Sequence, residues 1–340
     1  MALKIGIVGF GKSAQQIHMP LINQTGGVDV VGIYSRQPRE LLFLKSYQSY
    51  ERLLQDSNVD IVVITTPNFL HYEHVKLALM SNKHVIVEKP AGYSSKMLNE
   101  LSMLACERGL CLAVFYNRVY DSDFLTLQKI ISHGFVGSIK KLEYQFFRYH
   151  PCVGTKWKDQ DYLGSGVLYD LGSHMIHQML TIFGSLDLTV AEIYRQREHA
   201  TVCDSFSLIL KSKAITIDLH TDSMIKGSGK RFLAEGDMGS VEIHGDCAQE
   251  LFLKEHRSLD DIDPQQYVNA TLSDSTINNT EITVERGDWR RFYAKFINLI
   301  QLGKTFSNIN EIATLDLIES AYGKSLNKKG SNPHHTNNLI

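Results

Sequence analysis

The chain has 340 residues, 43% of them apolar and 21% charged, with a formal net charge of −2. At roughly 100–200 residues per domain this length predicts two domains, and the near-balanced charge gives no reason to expect nucleic acid or an anionic membrane as partner. No apolar run approaches the about 18 residues of a membrane-spanning helix. The N-terminus shows no basic stretch or cleavage site of a secretion signal. Five scattered cysteines (Cys106, Cys111, Cys152, Cys203, Cys247) with no Cys-x-x-Cys read as free thiols. A cytoplasmic protein without structural zinc is expected.

Leu3–Val8 reads as a buried strand and runs into Gly9-Phe10-Gly11-Lys12-Ser13-Ala14. This is the Gly-x-Gly-x-x-Ala form of the dinucleotide fingerprint. Gly9 permits the tight turn, Gly11 lets a pyrophosphate approach the backbone, and Ala14 lets the next helix pack closely. A second strand, Val28–Tyr34, ends in Ser35-Arg36, where an NAD enzyme usually carries a carboxylate for the ribose 2′-hydroxyl. A hydroxyl and a guanidinium suit a 2′-phosphate instead, so NADP is expected in preference to NAD. The bland alternative is a surface turn that accepts either cofactor.

A third strand over 61–65 ends in Thr65-Thr66-Pro67-Asn68, with Asn68 or a neighbour expected to cap a helix over 72–81. His71 and His74 stand three apart without a third ligand, so no metal is expected. The unbroken Val85-Ile86-Val87 run suits a strand of a parallel sheet buried on both faces, and it ends in Glu88-Lys89-Pro90. Ligands bind outside the carboxyl ends of such strands, which makes Lys89 a candidate for chemistry rather than half of a solvated Glu-Lys pair. A helix from Ser94 or Ser95 and a strand over 110–115, ending in Tyr116-Asn117-Arg118, complete an alternating α/β pattern over residues 1–120.

Beyond residue 120 the pattern changes. After a helix over 122–133, strand-like runs at 139–149, 189–196, 205–210, 214–219, 232–235 and 240–244 follow without helices between them. This predicts a mainly antiparallel sheet in an α+β domain over 121–330. Two late helices are expected at 288–302 and 311–327, then a polar tail over 331–340. Within this half, 164–174 reads Gly-Ser-Gly-Val-Leu-Tyr-Asp-Leu-Gly-Ser-His. Helical spacing would put Asp170 and His174 on one face, where a carboxylate-steadied imidazole serves as a general base. An exposed helix pair is the alternative. A sheet with five or six strands would leave an apolar face too large for these helices to cover, which predicts pairing of subunits.

Taken together these residues resemble the Gfo/Idh/MocA oxidoreductase family. The likeness rests on Gly9-Phe10-Gly11, Thr66-Pro67-Asn68 with His71, Glu88-Lys89-Pro90, Asn117-Arg118, and the 164–174 segment with Asp170 and His174. It spans nearly the whole chain. The stretch from Asn117 to Thr126 looks most like the branch containing NADP-dependent scyllo-inositol dehydrogenases, although Arg118-Val119 departs from the family's commoner Arg-Arg or Arg-Phe. The resemblance implies a Rossmann domain, a second domain with a large open sheet, a homodimer or homotetramer formed through that sheet, and a cis Lys89-Pro90 bond.

It also implies hydride exchange between a nicotinamide and a carbinol carbon of a sugar or cyclic polyol. Lys89, His174 and Asp170 would be catalytic. The cofactor would lie against Gly9, Phe10, Gly11, Lys12, Ser13, Ser35 and Arg36. Beyond these it would meet Thr65, Thr66, Pro67, Asn68, His71, Glu88, Lys89 and Asn117. Asn117, Arg118, Tyr149 and Trp157 would join Asp170 and His174 around the substrate, Tyr149 and Trp157 from position alone. A dinucleotide-binding sugar sensor and a glycosidase working by transient oxidation are the rival functions on the same fold.

Overall fold

The structure of the chain, a computed structural model, describes residues 2–37, 44–227, 229–274 and 279–329. The chain forms two compact units, one built from 1–125, 247–267 and 285–312, the other from 126–246, 268–284 and the residues from 313 onward. A single boundary near residue 120 therefore does not describe the division, because two later segments return to the first unit. The tail expected over 331–340 lies outside the described residues.

In the first unit six described strands form a parallel sheet: β1 (Leu3–Val8), β2 (Val28–Tyr34), β3 (Lys45–Tyr47), β4 (Ile61–Ile64), β5 (His84–Val87) and β6 (Leu112–Val114). Their order is β3-β2-β1-β4-β5-β6. All four residues of β4 are buried, as are Val85, Ile86 and Val87 of β5, which is why these strands are continuous apolar runs. Strand order reverses between β1 and β4, and ligands of open α/β sheets bind at such a point. The fingerprint follows β1 and Thr65 follows β4. Both are anchored there: Gly9 N–H donates to the Tyr34 carbonyl and Thr65 N–H to the Val8 carbonyl, each at 2.8 Å.

The returning segments supply much of this unit's aromatic core. Phe252, Trp289, Phe292 and Phe296 join Ile5, Ile7, Val63 and Phe115 in one buried cluster. Each such side chain contributes roughly 1.5–3 kcal/mol by burial. Polar bonds set their place in the chain. Trp289 Nε1–H donates to Asp121 Oδ1 at 2.7 Å, and Gln249 Oε1 accepts the Trp289 backbone N–H at 2.6 Å. Gln249 in turn donates to the Tyr120 carbonyl at 3.0 Å.

Asp121 is almost fully buried, and burial pushes its pKa up to about 7; Arg118, 3.0 Å away, pulls the other way and is outweighed. The folded state therefore holds this proton more tightly than the unfolded chain does. Its contribution to stability is present below about pH 4 and is lost as pH rises towards 7. Asp121→Asn, which removes the titration, should change the stability gap between wild type and variant by about 2–4 kcal/mol between pH 4 and pH 8, wild type losing ground as pH rises. Denaturant melts across that range check this, and a gap independent of pH would refute it.

In the second unit eight described strands form a mixed sheet: β7 (Ile139–Gln145), β8 (Asp187–Tyr194), β9 (Ser205–Ser212), β10 (Ile215–Asp222), β11 (Lys230–Gly236), β12 (Gly239–Gly245), β13 (Val268–Asp274) and β14 (Thr280–Glu281). Their order is β14-β13-β12-β11-β7-β10-β9-β8, with only β7 and β10 parallel. The last two strands were not expected from the sequence. Alternation puts Leu142, Tyr144, Phe206, Leu208, Leu219, Phe232 and Ile243 on the buried face. There the Tyr144 hydroxyl donates to Gln178 of the helix Ser173–Phe183 at 2.6 Å.

The opposite face corrects an expectation. Beside Ile209 and Leu233 it carries Lys141, Glu143, Ser207, Asp218, His220 and Glu242, and is mainly polar. The alternation that buries one residue turns its neighbour outward, so burying a single face buries most of the apolar set. Near the middle of this face Asp218 Oδ1 and His220 Nε2 are shielded from solvent without a hydrogen-bond partner.

Candidate active site

The fingerprint turn has the shape a dinucleotide needs. Gly9 adopts φ +86°, and a Cβ there would stand 3.0 Å from the Thr65 carbonyl. No heavy atom lies within 4 Å of where a Cβ of Gly11 would be, so a pyrophosphate would meet bare backbone. The helix opens directly after Gly11, and its first N–H groups have no partner within the helix. Lys12 is exposed beside it. These residues fit the group. Ser35 is half-buried and Arg36 exposed at the end of β2, beyond which residues 38–43 lie outside the described structure.

After its first two residues the fingerprint helix widens into a π-turn, Ala14–His18, before Met19–Asn23 resumes α geometry. Such turns often occur at functional sites. This one places buried His18 against the tip of β5. His18 Nε2 lies 3.0 Å from Glu88 Oε1, and its Nδ1 lies 2.7 Å from the Tyr293 hydroxyl. Ser13 Oγ donates to the same Glu88 oxygen, and Lys89 N–H donates to the other at 3.2 Å. Burial raises the Glu88 pKa, but the hydrogen bonds from His18 and Ser13 and the charge of Lys89 outweigh it and hold the carboxyl below its usual range. The Glu88 carboxylate thus gathers donors from its own chain, and the proton of Ser13 is committed to it.

The Lys89-Pro90 peptide is cis, as the resemblance implied. His71 is buried, with Nδ1 2.7 Å from the Pro90 carbonyl and Nε2 2.7 Å from the Thr66 carbonyl. Burial lowers its pKa against the pull of both carbonyls. It therefore ties the loop after β4 to the loop after β5. Thr65 Oγ1 donates to the Gly9 carbonyl at 2.9 Å. Thr66 Oγ1 lies 3.2 Å from Nδ1 of His74, whose pKa burial drops to about 4. Asn68 is buried at the start of a 3₁₀ turn, and the following helix, His71–Met80, has no side-chain cap, so the expected capping role is not seen. Asn117 is buried at the start of the turn Asn117–Tyr120. Arg118 bridges Asp121 at 3.0 Å and Glu250 at 3.1 Å, which ties its guanidinium to a returning segment.

In the second unit the 164–174 segment is not a plain α-helix. A π-turn, Leu168–Gly172, precedes Ser173–Phe183, so the α-helical spacing argument for Asp170 and His174 does not carry over directly. A Cβ at Gly172 would meet Leu168 at 2.7 Å and the Phe206 ring at 3.0 Å, which explains a glycine where the turn packs on β9. His174 is buried in the first turn of the α-helix. Asp170 lines a cavity of about 220 Å³ and accepts a 2.6 Å bond from Lys158 Nζ. Arg148, His150, Lys156 and Arg197 also line it. Arg197 is held by Asp204 at 3.1 Å and Asp159 at 3.3 Å.

Tyr149 and Trp157, chosen from position, are not in this lining; their neighbours on either side are. Lys158 was missed, since nothing in the sequence links it to a carboxylate twelve residues later. Among the described residues no group of three or more metal-ligating side chains occurs, and no helix is long and apolar enough to cross a membrane.

A doubly wound parallel sheet with this turn at its switch point defines a dinucleotide-binding α/β protein. Comparison with known proteins makes the class particular. Residues 3–116 match the model of the oxidoreductase family with an NAD-binding Rossmann fold, and residues 124–242 match the GFO/IDH/MocA C-terminal domain. The chain is 30% identical to scyllo-inositol 2-dehydrogenase (NADP(+)) IolW of Bacillus subtilis, over 96% of this chain and 95% of that one. Among solved structures it superposes on Bacillus subtilis yvaA with a TM-score of 0.90 at 29% identity, covering 96% and 97% of the two chains. An oxidoreductase from Bacillus cereus gives 0.85 at 26%, covering 95% and 97%. The chain belongs to the Gfo/Idh/MocA oxidoreductase family and binds NAD(P) through its Rossmann domain.

Proposed function

We propose that the chain is an NADP-preferring dehydrogenase acting on a CH–OH group of a sugar or cyclic polyol. The observation that carries this reading is the joint presence of Lys89 at the tip of β5, beside the fingerprint, and of Asp170 with His174 on the π-to-α turn of the second unit. The IolW relative's named substrate class supports it. A bound dinucleotide would supply the hydride acceptor or donor at nicotinamide C4. His174 takes the hydroxyl proton as the hydride leaves, and Asp170 orients the imidazole or holds a neighbouring hydroxyl. Lys89 donates to the carbinol oxygen and stabilises its developing charge.

Steady-state assays of polyols and sugars with NADP and NAD in parallel test the reading. Net formation of reduced or oxidised nicotinamide with at least one cyclic polyol or sugar is expected. Tight dinucleotide binding with no turnover would instead mark a sensor, and glycoside cleavage without net nicotinamide product a redox glycosidase.

We further propose a cytoplasmic homodimer or homotetramer that pairs the polar faces of the eight-stranded sheet. A second copy there would offer partners to Asp218 Oδ1 and His220 Nε2, whose present isolation is costly at about 1–3 kcal/mol each. Light scattering at micromolar concentration should show twice or four times the chain mass of 38.5 kDa. A monomer would end the proposal.

A further inference from the structure

We infer that Tyr293, His18, Glu88 and Ser13 form one directed hydrogen-bond chain that holds the dinucleotide-binding turn in place, which makes His18 and Tyr293 positioning residues for the cofactor. The inference rests on dinucleotide binding by the first unit, not on any particular substrate.

The direction of the chain follows from the chemistry of its members. Glu88 takes the Ser13 hydroxyl on one oxygen and the Lys89 N–H on the other, so it acts as an acceptor on both. Its 3.0 Å contact with His18 Nε2 then requires a proton on that nitrogen. A ring carrying that one proton leaves Nδ1 as an acceptor, and the Tyr293 hydroxyl 2.7 Å away then donates to it. Tyr293 suits that task, because burial raises its pKa well above the ordinary value and keeps its proton on. At the other end Ser13 Oγ–H donates to the same Glu88 oxygen that His18 reaches. Each bond is thereby oriented by the next.

The geometry leaves little freedom. His18 and Tyr293 are both fully buried, and the imidazole packs on Phe115 with ring centroids 4.4 Å apart. The π-turn brings His18 to Glu88, while Ser13 sits within the Gly-x-Gly-x-x-Ala turn itself. Tyr293 lies on the helix Arg290–Gln301 of a returning segment. The residue that steadies the turn from below is thus some 275 positions from His18 in sequence.

A binding cycle tests this without reference to turnover. NADP titrated against the full chain, followed by fluorescence, should give a Kd about threefold to tenfold higher for Tyr293→Phe and for Ser13→Ala. The double variant should be no more than about twofold weaker than the worse single one, since both act through one chain. Two residues that merely stabilise the fold would give independent, multiplying effects, which would overturn the inference; so would a Tyr293→Phe protein with a Kd within twofold of wild type. Imidazole nitrogen NMR of the unaltered protein gives a test that no folding defect can obscure. His18 should appear as the Nε2-protonated tautomer and its signals should shift when NADP is added. The opposite tautomer, or signals indifferent to NADP, would overturn the chain as described.

Discussion

Lys89→Ala is expected to lower turnover by at least about two orders of magnitude while NADP affinity stays within a few-fold of wild type, as measured by steady-state kinetics and by direct titration. Removing one preorganised donor to a developing oxyanion typically costs about 10²–10³ in rate. The side chain belongs to the tip of β5, beside the switch point between β1 and β4, on a backbone held by the Glu88 contact at 3.2 Å. An interaction made mainly in the transition state lowers kcat and kcat/KM together and leaves ground-state binding alone. Lys89→Met, which keeps the apolar stem, should lose as much rate. A variant that keeps most of its turnover would make Lys89 a solvated partner of Glu88 and nothing more.

The second large effect concerns cofactor choice. NADP should be preferred over NAD by about tenfold to a hundredfold in specificity constant, the worth of one charge-assisted contact of roughly 1.5–3 kcal/mol. Ser35 and Arg36 stand directly after β2, where a carboxylate would repel a 2′-phosphate, and the Arg36 side chain is exposed. Arg36→Ala should erase most of that preference by weakening NADP, with NAD little changed. Kinetics with both cofactors on one good substrate decide the matter, and a higher specificity constant for NAD in the wild type would show that the turn does not read the 2′-phosphate.

How far the sequence speaks for itself depends on the range of the interaction. The fingerprint, the β-branched Val85-Ile86-Val87 run and its polar tip are local patterns, and local patterns were legible. The alternation of Leu142, Tyr144, Leu208 and Leu219 also announced an antiparallel sheet. The same alternation should have flagged the polar opposite face, but an open sheet invited the assumption that its uncovered side is apolar. What could not be read were pairings without local signal. Tyr293 and His18 carry no mark that joins them, and Lys158 carries none that points to Asp170. Trp289 and Phe292 read as ordinary apolar positions of a late helix and Phe252 fell in no expected element, and only the fold shows that they fill the core of a unit begun at the chain's first strand. Both π-turns were read as α-helix, since one extra residue per turn leaves the apolar spacing nearly unchanged over so short a stretch.

The composition of the first unit bears on how the protein is made. Its sheet is complete by residue 114, yet Phe252, Trp289, Phe292, Tyr293 and Phe296 are supplied by segments that end near residue 312. At about 5–20 residues per second, a ribosome delivers that last segment roughly 10–40 s after residue 125. For that interval the nascent sheet has its strands but lacks the aromatic side chains that finish its core around Ile5, Ile7, Val63 and Phe115. A chain interrupted anywhere in that window would present an oily, half-built nucleotide-binding domain, a natural client for chaperones that hold exposed apolar surface. Biogenesis of this protein should therefore be sensitive to translation pauses and premature stops in its second half, even those that leave the whole cofactor motif intact.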